Sequence, residues 1–231
     1  MTGVGAPGPD DRGPAPAFRA GIVDVAAPVV IVGAALAIAP HPGWIGFEQE
    51  RSGVPALTGF TRDEVRRVTA GILSDLVVGP PSFAVSIDGR PVLDAAERAH
   101  MADVRRLLLA FGAVVALAFV ALVTVLVPDR RQPLAWRGVS RGATVLAVVI
   151  AVAGAWVLIS FDTAFVAFHL VTFPQGDFAF DPLTQRLVQL FPERFWSDAA
   201  VAMGLLLLAM PGATAALAER RAGRLSRATG A

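Results

Sequence analysis

Residues 107–127 read Leu107-Leu108-Leu109-Ala110-Phe111-Gly112-Ala113-Val114-Val115-Ala116-Leu117-Ala118-Phe119-Val120-Ala121-Leu122-Val123-Thr124-Val125-Leu126-Val127, with no charge anywhere. A helix needs about 20 mostly apolar residues, each rising ~1.5 Å, to cross a hydrocarbon core of about 30 Å. This stretch meets that requirement by itself. Three others match it: Gly21–Ala39, Ala143–Phe161 (apolar character continuing to Phe168) and Ala199–Ala218. Only Asp24 puts a charge inside those limits. None carries a polar stripe at helical spacing, as expected of helices surrounded by lipid and by one another. Pro28 and Pro211 are expected to kink the first and last spans.

The whole composition agrees. Of 231 residues 55% are hydrophobic and 17% charged, and the mean hydropathy is +0.60. Soluble domains carry about a quarter charged residues. Ordinary soluble, fibrous and disordered chains are therefore excluded, and an all-α membrane protein is implied. There is no Cys, Tyr, Lys or Asn, so all 20 basic residues are Arg. Disulfides, thiolate metal ligands, catalytic Lys or Tyr and Asn-linked glycans are excluded with them. The net charge of +1 carries no partner information, and no nucleic-acid partner is expected.

Arg placement orients the spans. Arg130, Arg131, Arg137 and Arg141 lie between spans two and three, and Arg220, Arg221, Arg224 and Arg227 follow span four. Short Arg-rich loops stay cytoplasmic. The expected layout is a disordered Gly/Pro-rich cytoplasmic tail (1–17), a first span (18–39) and an extracytoplasmic cap (40–103). A second span (107–127), a cytoplasmic loop (128–142) and a third span (143–168) follow. An extracytoplasmic interfacial segment (169–198), a fourth span (199–218) and a basic cytoplasmic tail (219–231) complete it. Ala37-Ile38-Ala39 also resembles a signal-peptide cleavage site. Asp10 and Asp11 cancel the charge of Arg12 and Arg19, the tail is long, and Pro40 follows the site; a retained span is the reading adopted.

Residues 40–103 read as a small folded cap of helices plus a short β-hairpin. Thr61 and Glu64 form a capping box, and Val65, Val68, Ile72, Leu73 and Leu76 follow at helical spacing. Gly79-Pro80-Pro81 stops that helix. Phe83, Val85 and Ile87 alternate as a strand, and Asp88-Gly89 signals a hairpin turn. Asp94 and Glu97 then cap a helix that nothing breaks before Val127. In the second outer segment Asp181-Pro182 reads as N-cap and first helical residue, with Leu183, Leu187, Leu190 and Phe191 on one face of an interfacial helix. Phe173, Phe178, Phe180, Phe191, Phe195 and Trp196 gather there. They form either an aromatic belt at headgroup depth or the wall of a site at the cap–membrane boundary, and the two readings are compatible.

Of the three histidines, His100 precedes span two and His169 ends span three, so both reach the same outer boundary. Glu97 and Asp103 flank His100 at i±3, the spacing of helix neighbours, where a carboxylate can fix an imidazole tautomer. His169 lies seven residues after Asp162, on nearly the same face, with Phe165 between them. Each histidine taken alone reads first as a satisfied interfacial residue. The pair at one depth, each with a carboxylate at helical spacing, points to proton-transfer chemistry. His41, between two prolines, reads as loop. There is no H-E-x-x-H, Walker A, G-x-G-x-x-G or G-x-S-x-G motif. Asp24, without a partner of opposite charge in the other spans, gives poor support to a transporter.

Three blocks carry a resemblance: Glu97-Arg98-Ala99-His100-Met101-Ala102-Asp103-Val104, Phe161-Asp162-Thr163-Ala164-Phe165-Val166-Ala167-Phe168-His169 and Phe191-Pro192-Glu193-Arg194-Phe195. In these and in motif order, from about Gly21 to Ala218, the chain resembles the bacterial family that includes the lipoprotein intramolecular transacylase. The resemblance implies a four-helix enzyme of the bacterial plasma membrane. Its active site would lie at the cap–membrane interface, with membrane lipids around it and a diacylated lipoprotein as substrate. It would move the sn-2 acyl chain from the diacylglyceryl group to the same molecule's N-terminal cysteine amine, without metal or cofactor. The two catalytic histidines of the family map onto His100 and His169. Glu97, Asp103 and Asp162 would orient or stabilise them, and Phe165, Phe168, Phe173, Asp177, Phe178, Phe195 and Trp196 would line the substrate site. The alternative is a non-catalytic membrane protein whose outer cap binds an envelope partner.

Overall fold

The computed structural model describes residues 16–38, 40–174 and 178–229. The expected N-terminal tail up to residue 15, the last residue of the Ala37-Ile38-Ala39 site and Asp177 lie outside the described residues. Eleven elements follow in order. Helix α1 spans Pro16–Ile38, α2 Pro42–Arg51, α3 Val54–Thr58 and α4 Arg62–Val77. Strands β1 (Ser86–Ile87) and β2 (Arg90–Pro91) form an antiparallel hairpin. Then come α5 (Ala95–Leu126), α6 (Pro133–Ile159), α7 (Phe161–Thr172), α8 (Arg186–Leu190) and α9 (Glu193–Thr229). Four of these, α1 (from Phe18), α5, α6 and α9, are long and apolar enough to cross a membrane.

Helix α1 is the hub of the bundle: α5 packs along it, and α6 packs against both α1 and α9. Glycine makes the α1–α6 approach close. A Cβ on Gly142 would stand 2.3 Å from the Asp24 carbonyl oxygen, and one on Gly138 3.0 Å from that of Ala20. Gly138 and Gly142 form a G-x-x-x-G pair, which lets helix backbones meet where lipid offers no hydrophobic drive. At the same end Arg141 pairs with Asp24 at 2.8 Å and Arg19 with Asp129 at 2.7 Å. This corrects the expectation that Asp24 has no opposite charge in another span. Arg141 belongs to α6, which begins at Pro133, inside the loop expected over 128–142. The outward residues are large and apolar, including Leu117, Val120, Val148, Val152 and Leu205, the surface that lipid covers.

The cap has its own core. Val54, Val65, Val68, Ile72, Phe83, Val92, Leu93, Met101, Leu187 and Leu190 bury one another. Both expected capping boxes are present, Thr61 with Glu64 and Asp94 with Glu97. The 32 residues of α5 measure about 48 Å at ~1.5 Å per residue. Such a helix outreaches a hydrocarbon core, so its first three turns stand in the cap. Arg105 closes the other side, donating to the carbonyls of Asp75 and Gly79 at the end of α4. Gln49, 1% exposed, donates to Thr69 and to the Leu190 carbonyl, each at 3.0 Å, joining α2, α4 and α8.

Three local expectations change. The alternating Phe83-Val85-Ile87 strand shrinks to two residues because Phe83 leaves the extended region (φ 49°) to place its ring, fully buried, in the cap core. Its N–H is held by the Asp75 carboxylate at 2.9 Å. Asp181-Pro182 starts a turn, not a helix: the Asp181 carboxylate accepts from Leu183 N–H at 2.9 Å and Thr184 Oγ1–H at 3.0 Å, the local bonding by which Asp competes with helix. Helix α8 begins only after Gln185. Its Leu187 and Leu190 join the cap core, whereas Leu183 is 86% exposed.

The third apolar run is also two helices. Ser160 (φ −151°, ψ 73°) ends α6 and precedes α7. Its N–H closes on the Trp156 carbonyl, its own carbonyl accepts from Ala164, and its hydroxyl donates to Thr163. Both backbone groups of Ser160 itself thus stay paired, as membrane depth favours.

Candidate active site

The break at Ser160 redirects α7 so that its last turn meets the overhanging first turns of α5. There His100 and His169 lie with ring centroids 6.2 Å apart and planes inclined by 23°. His100 is 7% exposed and His169 half-buried. Five phenylalanines surround the pair. Phe173 and Phe180 stand edgewise to His100 at 4.8 and 5.4 Å. Phe165, Phe168, Phe178 and again Phe173 surround His169 at 4.1, 5.3, 5.0 and 5.7 Å. The modest aromatic content of the chain is thus concentrated where the imidazoles meet.

One hydrogen bond sets the tautomer of His169. Its Nδ1 lies 2.8 Å from the Phe165 carbonyl oxygen. A carbonyl can only accept, so Nδ1 carries a proton and donates, and in the neutral ring Nε2 holds the lone pair. Sequence spacing placed Phe165 on this face but gave no hint that its backbone, not its ring, would set the proton.

The carboxylates do different work from one another. Glu97, 1% exposed, accepts from the Asp94 N–H at 2.6 Å and from the Leu187 N–H at 2.5 Å. One turn before His100, it ties the start of α5 to the start of α8. The Gln185 amide donates to Asp94 at 3.0 Å beside it. The Glu97 backbone amide, and after it Gln185, hold the Asp94 carboxyl below its ordinary range. Asp103 forms an ion pair with Arg106. Asp162 is exposed in the first turn of α7, where an acid complements the helix dipole. It stands two turns, about 10 Å along the axis, from His169.

Phe165, Phe168, Phe173 and Phe178 therefore gather at the histidines, while Phe195 and Trp196 do not. Phe195 is buried in a second aromatic group with Trp44, Phe191 and Trp196 at 5.9, 5.2 and 5.3 Å. That group cements α2 to the start of α9. Phe180 joins the cage although spacing singled it out only as a loop aromatic. It lies two residues from Phe178 in non-helical chain, the spacing that puts two side chains on one side of an extended segment. Among the described residues no three His, Cys, Asp or Glu side chains converge as a metal site would require.

Four helices able to span a membrane and a small cap, with an imidazole pair enclosed where they meet, define an integral membrane protein. The comparisons agree. The profile of the family "Lipoprotein intramolecular transacylase Lit" matches residues 25–196. The chain belongs to the lipoprotein intramolecular transacylase family, and with it to the membrane acyltransferases. Its fold is similar to the crystal structure of the membrane integral lipoprotein intramolecular transacylase Lit from Bacillus cereus, with a TM-score of 0.76 and 21% identity over 92% of this chain and 97% of that one. Two variants of the B. cereus protein, one histidine replaced by arginine or by alanine, give TM-scores of 0.70 and 0.69 at 20% identity. The arginine variant is matched over 93% of this chain and 94% of its own, the alanine variant over 90% and 94%. No curated protein sequence matches the chain.

Proposed function

We propose that the protein moves the sn-2 acyl chain of a diacylglyceryl lipoprotein to the α-amine of the same molecule's N-terminal cysteine, with His169 as general base and His100 as general acid. The observation that carries this reading is the Nδ1–H of His169 on the Phe165 carbonyl, which leaves Nε2 free to take a proton, opposite a second imidazole 6.2 Å away. An N-terminal amine ionises near pH 8, so the attacking neutral amine is accessible. It adds to the ester carbonyl carbon, and a C–N bond forms. Nitrogen gives a proton to His169, the C–O bond breaks, and the glyceryl oxygen takes a proton from His100. The two imidazoles exchange protonation states and reset through solvent. No enzymic nucleophile is needed, in keeping with the missing Cys and Ser elbow. Fixing amine and ester in one molecule within attack distance supplies about 7–11 kcal/mol, and the phenylalanine walls keep competing water from the ester. The reaction face is extracytoplasmic, by the Arg-rich loops at the opposite end, and both termini are cytoplasmic.

The test is tandem mass spectrometry of a synthetic diacylated lipopeptide incubated with the purified protein. The transfer is isomeric, so fragmentation must locate the acyl chain on nitrogen. His100→Gln and His169→Gln are each expected to abolish the N-acyl product while the helical content stays unchanged. Full turnover by either variant refutes the roles assigned.

A further inference from the structure

A second groove lies away from the histidine cage, where α2 meets α9 at the cap-side membrane boundary. It has a volume of about 320 Å³ and is lined by Trp44, Phe47, Glu48 and Arg51 on α2 and by Asp198, Val201, Ala202 and Leu205 on α9. Both sets follow the i, i+3, i+4, i+7 spacing of a single helix face. The groove is polar at one end and apolar at the other. Asp198 and Arg51 sit at cap level, and Leu205 lies about 10 Å further along α9, two turns into the hydrocarbon.

The polar end presents both signs of charge. Arg51 donates Nε to both Glu48 oxygens at 3.1 Å and pairs through Nη2 with Glu48 and Asp198. Arg194 approaches Asp198 at 3.8 Å. Two guanidiniums and two carboxylates cancel. Glu48 is sealed at 4% side-chain exposure, whereas Arg51 and Asp198 remain 41% and 30% open to the groove. The hydrogen bonds and ion pairs of Arg51 among the described residues run through Nε and Nη2, with none from Nη1. Phe47 is 63% exposed beside them, and Trp44 offers a second aromatic face.

We propose that this groove is a binding site for a zwitterionic amine-bearing phospholipid, phosphatidylethanolamine in type. Its phosphate would sit on Arg51 Nη1, its ammonium between Asp198 and the Trp44 and Phe47 rings, and one acyl chain along Val201, Ala202 and Leu205. Each part answers a feature on the protein. Guanidinium pairs with phosphate, carboxylate and aromatic faces with ammonium, and the apolar stretch with hydrocarbon. An anionic phospholipid satisfies Arg51 but sets its remaining charge against Glu48 and Asp198. A diacylated lipopeptide brings an ammonium but no phosphate, and the groove shares no residue with the histidine cage. The bound lipid acts as a clasp holding α2, and so the cap, on α9. This inference does not depend on the acyl-transfer reading.

Native mass spectrometry of the full-length protein, released from nanodiscs of equal palmitoyl-oleoyl phosphatidylethanolamine and phosphatidylglycerol, tests it. The expected result is one retained phosphatidylethanolamine, favoured over phosphatidylglycerol by about fivefold, as one partly exposed ion pair allows. Leu205→Trp fills the apolar end without touching an ion pair, and Arg51→Gln removes the phosphate contact. Each is expected to bring the ratio to about one. Because Arg51 also ties α2 to α9, Leu205→Trp, at an exposed position, is the decisive variant. Equal retention of both lipids by the unaltered protein, or a preference that survives Leu205→Trp, overturns the proposal. Displacement of the lipid by a synthetic diacylated lipopeptide whose binding Leu205→Trp abolishes overturns it in favour of a substrate site.

Discussion

Glu97 offers the sharpest quantitative test of how the cage is held. Its carboxylate is 1% exposed and accepts two backbone hydrogen bonds, from Asp94 at 2.6 Å and Leu187 at 2.5 Å. Bonds to an ionised acceptor contribute about 1.5–3 kcal/mol each, and an orphaned buried N–H costs a further share of that. Glu97→Gln is isosteric but turns one acceptor oxygen into a donor, so one bond is lost and a donor faces a donor. A local penalty of about 2–3 kcal/mol is expected, which converts to roughly 30- to 150-fold in the opening equilibrium of the tethered segment. Hydrogen exchange reads this directly, because the Leu187 amide is itself one of the donors. In Glu97→Ala, where neither bond survives, the peptide containing Leu187 should exchange at least that much faster. Transacylation should fall with it, since the segment leading into α8 carries Phe178 and Phe180. Unchanged exchange at Leu187 together with unchanged turnover in Glu97→Ala would refute the tethering role.

Other consequences test the bundle, the Asp94 cap and the cap core. Gly142→Ala would push a Cβ to 2.3 Å from the Asp24 carbonyl, a backbone atom that cannot swing away; a loss of about 1–3 kcal/mol is expected, measured by chemical unfolding in detergent. The Asp94 carboxyl titrates lower in the folded protein than in the unfolded chain, so its stabilisation is complete above the unfolded value, near pH 4. It fades as pH falls through the lower folded value; Asp94→Asn, an equally good cap, should flatten that acid limb in a pH series of thermal melts. Phe83→Ala removes a fully buried ring while keeping the Cβ and its positive-φ strain, and is expected to cost about 3–5 kcal/mol, read by chemical unfolding in detergent. Asp162→Asn, at an exposed position two turns from His169, should leave turnover within about twofold, because a screened surface charge contributes little; a large loss would place it in the mechanism.

How much of this was legible in the sequence follows from the range of each interaction. The capping boxes at Thr61 and Asp94 were legible because both partners lie within one turn. The four spans were legible because length and apolarity alone decide them. The Asp24–Arg141 pair was not, since the two residues are 117 positions apart and meet only because Gly138 and Gly142 let α1 and α6 touch. The break at Ser160 went unread because apolar residues resume after Ser160, Asp162 and Thr163 and continue to Phe168, so the polar cluster read as the end of a span and not as a junction between two helices. Phe83 shows the opposite failure: alternation promised a strand, and burial of one ring in the cap core outweighed the backbone preference. At the site, helix spacing identified the histidines and the α7 phenylalanines. It could not separate Phe178 and Phe180, which reach the cage, from Phe195, which packs on Trp44, and Trp196, which packs on Phe191 and Phe195.

The break and the overhang together explain why two helices that do not pack along each other can share a site. Helix α5 needs only its apolar two-thirds to cross the bilayer, so its first turns carry His100 into the cap. A single residue, Ser160, separates α6 from α7, and its own N–H and carbonyl both stay paired, with Trp156 and Ala164. Beyond the break, α7 carries His169 to a ring-centroid separation of 6.2 Å from His100. Straightening the junction therefore tests the architecture apart from the chemistry. Ser160→Ala with Thr163→Ala removes the hydroxyl pair and raises helix propensity across the break. If the bend positions the catalytic pair, turnover falls while both histidines remain in place. Full activity in that double variant would mean that the cap alone, through α8 and Glu97, holds the two imidazoles together.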